Sequence, residues 1–142
     1  MAKPEPARLS IDSYPHHDVI QTRFQDIDVL GHINNVAMAA LFETGRVRFN
    51  RMMGLADRRG HRWLVANVEI NYLTEGQMAD MAMGHGIGRI GTRSWSILAS
   101  AFQNGVCIAT CDTVVVMEQK IGHAELPADF RADLERWLIA QS

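Results

Sequence analysis

The sequence predicts an α+β domain in which a curved antiparallel sheet of about five strands wraps around one long helix, with a second helix at the C-terminus. Three observations indicate this class. A long helical segment follows one short strand, four strand-like segments then follow in succession, and an amphipathic segment closes the chain. A single long apolar helix placed before a run of hairpins favours a layered arrangement of sheet on helix.

The chain begins with a polar, proline-rich stretch that lacks a clear periodic pattern. We therefore expect residues 1–17 to be a flexible lead-in and residues 18–142 to form a single domain. A domain of this length can bury a substantial core. The first strand is predicted at residues 19–24, where apolar and polar side chains alternate.

The long helix is predicted to run from Asn35 to about Met53. Asn34 or Asn35 is a suitable N-cap, and Gly54 is a suitable stop signal. Apolar side chains lie on most sides of this segment, so we expect the helix to be buried around much of its circumference. The residues concerned are Val36, Ala39, Ala40, Leu41, Phe42, Val47, Phe49 and Met52.

Four strands and a terminal helix are predicted after the charged loop at residues 56–62. The strands span residues 64–72, 78–90, 94–103 and 106–118. The turn at residues 103–105, Gln-Asn-Gly, is a strong hairpin signal between the last two strands. From Pro127 onward, one helical stripe carries Phe130, Leu134, Trp137 and Leu138.

The strand at residues 78–90 has an unusually bare face. Gly84, Gly86 and Gly88 occupy three consecutive positions on it. Glycine inside a strand indicates either curvature with a bulge or a close approach by other atoms. Both interpretations are open, and the approaching group could be the central helix or a ligand.

The net charge bears on which partners the protein binds, and the cysteines bear on the cellular compartment in which it is found. The formal net charge of −2 gives no electrostatic reason to expect nucleic acid or an anionic membrane as a partner. No segment approaches the ~20 apolar residues that a membrane-spanning helix needs. Cys107 and Cys111 lie too far apart on one predicted strand to form a disulfide. We therefore expect reduced core thiols and a cytoplasmic location.

A dense group of polar residues, QDIDVLGHINN, leads into the long helix. The first backbone N–H groups of a helix have no partner within it and carry a partial positive charge. Asp28 lies on the loop that enters this helix end, and Gly31 allows the loop to turn sharply. A carboxylate beside free N–H donors suits acyl transfer to water. The carboxylate activates water or attacks the carbonyl, and the N–H groups bind the oxyanion.

The stretch RFQDIDVLGHINNVAMAALFETGR resembles the entry motif of the hotdog-fold thioesterases of the 4-hydroxybenzoyl-CoA thioesterase-like family. VEINYLTEGQMAD and GRIGTRSWS resemble later strands of the same family, so the resemblance covers about residues 21–118. It implies a hotdog fold and a thioesterase acting on an acyl-CoA or an acyl carrier protein thioester. It also implies a homodimer or homotetramer and no cofactor.

The resemblance also implies roles for individual residues. Asp28 is expected to be the general base or nucleophile, and the backbone N–H of Asn35 the oxyanion donor. His32 is expected to shape the pocket or position water, and Glu43 is a rival to Asp28 because members of the family place the decisive carboxylate differently. Substrate contacts are expected from Gly31, Asn34, Met38, Arg89 and Arg93.

Three of these substrate contacts differ in kind from the others. Met38 stands where the family usually has tyrosine, so the contact made by that hydroxyl is missing at this position. Arg89 and Arg93 are candidates to bind the phosphates of coenzyme A, because guanidinium groups bind phosphate well. A solvated turn would explain both arginines equally well.

Structural roles are the alternatives at the remaining positions. Asp28 could cap a turn, His32 could hold loop backbone, and Asn34 and Asn35 could only cap the helix. Asp26 is expected to be a hydrogen-bonding residue of the loop, and Glu43 could pair with an arginine of the helix. A metal site is not expected, because the acidic residues and His32 match no ligand spacing.

Two other functions are compatible with the same residues. An enoyl-thioester hydratase or dehydratase of the hotdog fold would use Asp28 and His32 as a pair. A non-catalytic module would bind acyl thioesters without turnover, and it is favoured if Asp28 is locked in structural hydrogen bonds.

Overall fold

A computed structural model describes residues 4–55, 62–118 and 125–140, and its strands form one five-stranded antiparallel sheet. The strands are β1 (His16–Ile20), β2 (Trp63–Tyr72), β3 (Met81–Ile90), β4 (Ser94–Gln103) and β5 (Val106–Met117). Their order across the sheet is β1-β3-β4-β5-β2, which leaves β1 and β2 at the edges. The predicted α+β class, with five strands and two α-helices, is confirmed.

Helix α1 (Asn35–Met52) begins and ends as predicted. The Asn34 side chain caps it by accepting a hydrogen bond from the Val36 N–H at 2.7 Å, and Gly54 follows its end with a positive φ of 79°. Helix α2 (Ala128–Glu135) starts directly after Pro127. Neither helix has the length and apolar character needed to cross a bilayer, within the described ranges.

Helix α1 buries one side rather than most of its circumference. Its buried side packs on apolar residues from β3, β4 and β5, in a cluster that includes Met83, Ala101 and Ala109. The buried positions of the helix are Met38, Leu41, Phe42, Gly45 and Phe49. The prediction that the helix is buried around much of its circumference is therefore wrong for the single chain, because its one sheet covers only one side. The exposed positions include Val36, Ala39, Ala40, Val47 and Met52.

The N-terminal segment packs against the opposite face of the sheet. Two short 3-10 turns, Pro6–Leu9 and Ile11–Ser13, lead directly into β1. Arg8 forms an ion pair with Asp112 of β5, with 2.7 Å between Nη2 and Oδ1. Residues 1–3 lie outside the described residues, and flexibility of the lead-in stays a prediction.

The first strand differs in position from the prediction. It begins at His16 rather than residue 19, and Phe24–Asp26 form a 3-10 turn rather than the end of a strand. The pattern of residues 16–18, two histidines and an aspartate, conceals the strand because β1 is an edge strand with polar side chains. The predicted loop at residues 56–62 lies almost wholly outside the described residues.

Gly84 and Gly86 of β3 provide room for the lead-in. A β-carbon on Gly84 would lie 2.6 Å from Cγ of Tyr14, and one on Gly86 would lie 2.8 Å from Cδ of Pro15. Close approach is therefore the better of the two interpretations for these positions, although neither the central helix nor a ligand makes the contact. The register also shifts between Ile87 and Ile90, so β3 is irregular near its end.

Cys107 and Cys111 are both free, as their spacing on one strand predicts. Cys111 is buried, Cys107 is half-buried, and burial raises the pKa of both thiols. A raised pKa disfavours the thiolate, so neither side chain is suited to act as a nucleophile.

Candidate active site

The loop before helix α1 closes on itself through its backbone. The N–H of Asp28 donates to the carbonyl of His32 at 2.8 Å, and the N–H of Gly31 donates to the carbonyl of Asp28 at 3.0 Å. Gly31 has a φ of 82°, a conformation that favours glycine. Gly31 therefore has a clear conformational role, and its proposed contact with substrate stays a prediction.

The carboxylate of Asp28 is held in one orientation. Its Oδ1 accepts hydrogen bonds from the N–H groups of Leu30 at 2.9 Å and His32 at 3.1 Å. Among the described residues, no hydrogen bond to Oδ2 is recorded, so one oxygen is fixed and the other is available. This arrangement orients a carboxylate without consuming its ability to accept a proton.

The amino end of helix α1 supplies the opposite partial charge. Asn34 joins it to the loop, because its N–H donates to the carbonyl of Asp26 at 2.7 Å and its carbonyl accepts from Met38. The N–H of Asn35, the first residue of the helix, has no recorded acceptor in the described part of the chain. It carries part of the positive end of the helix dipole.

The Asp28 loop and this helix end line one cavity of about 380 Å³. Four of the predicted site residues reach it: Asp28, His32, Asn35 and Met38. Met38 is buried and contributes an apolar wall where a tyrosine would have contributed a hydroxyl. Asp28 and Asn35, the first residue of the helix, therefore line the same partly open cavity.

The opposite wall of the cavity comes from the end of β2 and the turn that follows it. The Tyr72 hydroxyl donates to the carbonyl of Asn35 at 3.2 Å. Glu75 lies with its Oε2 3.0 Å from Nε2 of His32. Neither residue was singled out from the sequence, where the only local signal was a carboxylate placed directly before the turn glycine, Gly76.

Backbone contacts press this turn against the Asp28 loop. The N–H of Ile33 donates to the carbonyl of Gly76 at 2.9 Å. A β-carbon on Gly76 would lie 2.5 Å from Cδ1 of Ile33, so any side chain there would displace the end of the Ile33 side chain. The width of the cavity is thus set by the backbone of two segments that are far apart in the sequence.

Five predicted site residues do not line this cavity in the single chain: Gly31, Asn34, Glu43, Arg89 and Arg93. Glu43 is 69% exposed, its Oε2 lies 3.8 Å from Nη2 of Arg46, and it lines a separate groove beside β1. Arg89 lines a cavity on the far face of the sheet. Arg93 is exposed on the β3–β4 turn and does not line the Asp28 cavity.

Asp26 has a structural role, as predicted. It is buried and accepts hydrogen bonds from the Arg23 backbone N–H at 2.7 Å and from the Arg23 guanidinium at 2.9 Å. The guanidinium holds the pKa of Asp26 below its usual range. Among residues 4–55, 62–118 and 125–140, no group of three or more His, Cys, Asp or Glu side chains is placed to hold a metal ion.

Comparison with known proteins supports the fold and identifies a family. The profile of the thioesterase-like superfamily matches residues 22–138. No curated protein gave a significant match.

Solved structures share the fold over most of their length. A Pseudomonas aeruginosa protein is 26% identical, with a TM-score of 0.78 over 94% of this chain and 98% of its own. A predicted thioesterase from Bacillus stearothermophilus is 29% identical, with a TM-score of 0.77 over 89% and 98%. A Thermus thermophilus thioesterase, solved with coenzyme A and Zn, is 24% identical, with a TM-score of 0.76 over 88% and 95%. These likenesses confirm the hotdog fold.

Proposed function

Because this chain belongs to the thioesterase-like superfamily, we propose that it hydrolyses an acyl-CoA or acyl carrier protein thioester to a free acid and a thiol. The observation that carries this proposal is the shared cavity of the Asp28 carboxylate and the amino end of helix α1. These two groups provide a proton acceptor and a hydrogen-bond donor for the oxyanion in one cavity.

The proposed reaction places the thioester carbonyl between these groups. Oδ2 of Asp28, the oxygen without a recorded partner among the described residues, takes a proton from water as the water oxygen bonds to the carbonyl carbon. Alternatively, the same oxygen attacks the carbonyl and forms an anhydride that water then cleaves. In either case the N–H of Asn35 stabilises the negative oxygen, an interaction worth about 2.7–4 kcal/mol.

Coenzyme A is the carrier to test first. The Thermus thermophilus thioesterase that shares this fold was solved in complex with coenzyme A. At 24% sequence identity the two proteins share the fold, and we propose coenzyme A as the carrier on that basis. Acyl carrier protein is the alternative carrier.

We further propose that the chain assembles at least as a homodimer, with a homotetramer as the larger alternative. Several large apolar side chains near the cavity and along β2 are exposed in the single chain. They include Phe24, Val29, Leu30, Val36, Leu64, Val65 and Val68. A second copy that covers such residues would also enclose the cavity more fully. A cytoplasmic location completes the proposal, and it agrees with the two free cysteines.

A panel of acyl-CoA substrates, assayed with a colorimetric thiol reagent, tests the proposed reaction. We expect thiol release from at least one substrate. Loss of enoyl absorbance without thiol release would instead support a hydratase, which could use Asp28 and His32 because both line the cavity.

A non-catalytic binding module is the second candidate. It is favoured by the two backbone hydrogen bonds that Oδ1 of Asp28 accepts, since they explain an aspartate here without any chemistry. Acyl-CoA binding measured by calorimetry, without thiol release across the whole panel, would support this alternative and contradict hydrolysis.

A further inference from the structure

We infer that Glu75 is a positioning residue that holds His32 so that its imidazole can protonate the sulfur of the leaving thiol. The inference rests on the proposed thioester hydrolysis and extends it to a second proton transfer. It assigns a function to the wall of the cavity that comes from β2 and its turn.

The geometry leaves one ring nitrogen of His32 for chemistry. Nε2 lies 3.0 Å from Oε2 of Glu75, so the protonated ring and this carboxylate form an ion pair. No partner of Nδ1 is recorded within the described residues. Because Nε2 lies beside the Glu75 carboxylate, the ring nitrogen left to give or take a proton is Nδ1, on a ring that lines the cavity.

The backbone of His32 is tied to Asp28 in both directions. Its N–H donates to Oδ1 of Asp28 and its carbonyl accepts from the Asp28 N–H. The proposed proton acceptor and the proposed proton donor consequently sit at the two ends of one closed turn. A shift of either residue would disturb the other.

The turn that carries Glu75 is held in place by hydrogen bonds that do not involve the Glu75 side chain. The N–H of Leu73 donates to the carbonyl of Ile108, and the N–H of Gln77 donates to Oε1 of Gln103 at 2.8 Å. The Ile33–Gly76 backbone hydrogen bond holds the same turn from the other side. Because Glu75 itself is 67% exposed, replacing it should leave the fold unchanged.

The ionisable groups that share the cavity with His32 are all acids. The titratable groups that line the cavity with it are Asp28, Glu75 and the Tyr72 phenol, and no lysine or arginine lines it among the described residues. The imidazolium is the form that can donate a proton to sulfur.

The full reaction balances with these groups alone. Water gives one proton to Asp28 as its oxygen bonds to the carbonyl carbon, and the C–S bond then breaks with its electron pair leaving on sulfur. The Nδ1 proton of the His32 imidazolium passes to that sulfur and forms the thiol. The proton on Asp28 returns to His32 through solvent, so that one thioester and one water give one acid and one thiol.

Leaving-group dependence distinguishes this role from a structural one. An alkyl thiol such as coenzyme A leaves more easily when its sulfur is protonated, whereas an aryl thiolate is stable enough to leave without a proton. In Glu75→Gln we expect kcat to fall about five-fold on an acyl-CoA. On the thiophenyl ester of the same acid we expect less than about a two-fold change. The control is Glu135→Gln, an exposed glutamate on α2 that should change neither rate.

A double-mutant comparison completes the test. His32→Gln should show the same selective loss on the acyl-CoA, and adding Glu75→Gln to it should cause no further loss, because Glu75 acts through His32. Equal losses on both esters, an unchanged rate in Glu75→Gln, or additive effects in the double variant would overturn the inference alone. If the wild-type protein releases thiol from neither ester, both the proposed hydrolysis and this inference are wrong.

Discussion

At the residue scale, Asp28 combines two tasks in one side chain. Oδ1 closes the loop by accepting two backbone N–H groups, while Oδ2 has no recorded partner among the described residues. An asparagine could reproduce the first task through its carbonyl oxygen, but it could not accept a proton at pH 7. Asp28→Asn therefore separates the structural contribution of this position from the chemical one.

The sequence singled out three residues near the helix that line one cavity, and their chemical roles stay a prediction. Asp28, His32 and Asn35 lie within eight positions of one another, so turn chemistry and helix capping constrain where they go. Tyr72 and Glu75 reach the same cavity from a distant strand. Their contribution depends on sheet order and register, which no local pattern specifies.

His85 makes a pH-dependent contribution to stability. It is fully buried, and desolvation followed by the nearby His16 lowers its pKa to about 3. The unfolded chain binds a proton at this side chain below about pH 6.5, whereas the folded protein does not until about pH 3. The contribution is therefore complete above pH 6.5 and is lost as the pH falls toward 3.

Urea unfolding at pH 7.5 and pH 4.5 measures this effect. Between these values His85 should account for a loss of about 2–3 kcal/mol in the free energy of unfolding, which His85→Met should remove. His17→Asn, on an exposed histidine of the same sheet, is the control and should keep the wild-type pH dependence. An equally steep pH dependence in His85→Met would contradict the assignment.

At the element scale, the contact between helix α1 and β3 depends on Gly45. A β-carbon at this position would lie 2.6 Å from Cε1 of His85 and 3.0 Å from Sδ of Met83. Alanine is favoured over glycine inside a helix by about 1 kcal/mol, but overpacking a buried contact costs about 1–3 kcal/mol. The steric term should therefore outweigh the gain in helix propensity.

We expect Gly45→Ala to lower the free energy of unfolding, by up to about 2 kcal/mol after the propensity gain is subtracted. Chemical denaturation at pH 7.5 measures it. Ala40→Gly, exposed on the same helix, isolates the propensity term and should destabilise by about 1 kcal/mol. A more stable Gly45→Ala protein would show that the helix can move away from β3 at little cost.

Element positions were predicted best where the periodic signal was long. Helix α1, β4 and β5 match their predicted bounds to within a residue or two. The start of β1 was missed because its polar side chains do not alternate with apolar ones, and its pairing with β3 is a long-range property. The glycines of β3 were noticed, but the residues that cover them, Tyr14 and Pro15, belong to a stretch without any regular pattern.

At the scale of the whole molecule, β2 is an unprotected edge. It pairs with β5 along one side only, in the described part of the chain, and Val68 in its centre is 44% exposed. An open edge with exposed apolar residues is a site where another chain can pair. A pairing of β2 with the β2 of a second copy would be self-complementary, as two-fold interfaces are.

Val68→Glu should weaken such an assembly. In a two-fold interface each substitution brings two carboxylates near one another, so we expect the wild-type protein to sediment as a dimer or larger and the variant to shift toward monomer. Val106→Glu, which is exposed on the β4–β5 hairpin, is the matched control. A wild-type protein that stays monomeric at micromolar concentration would contradict the proposed assembly.

The kcat of Asp28→Asn for thiol release from an acyl-CoA that the wild-type protein hydrolyses tests the central claim most directly. We expect it to fall by about 10²–10⁴-fold, because the variant lacks the proton acceptor. Glu43→Gln, on the rival carboxylate in a separate groove, and Asp12→Asn, on an exposed aspartate, should stay close to the wild-type rate. A wild-type rate in Asp28→Asn would contradict the account, and a selective loss in Glu43→Gln would move the chemistry to helix α1.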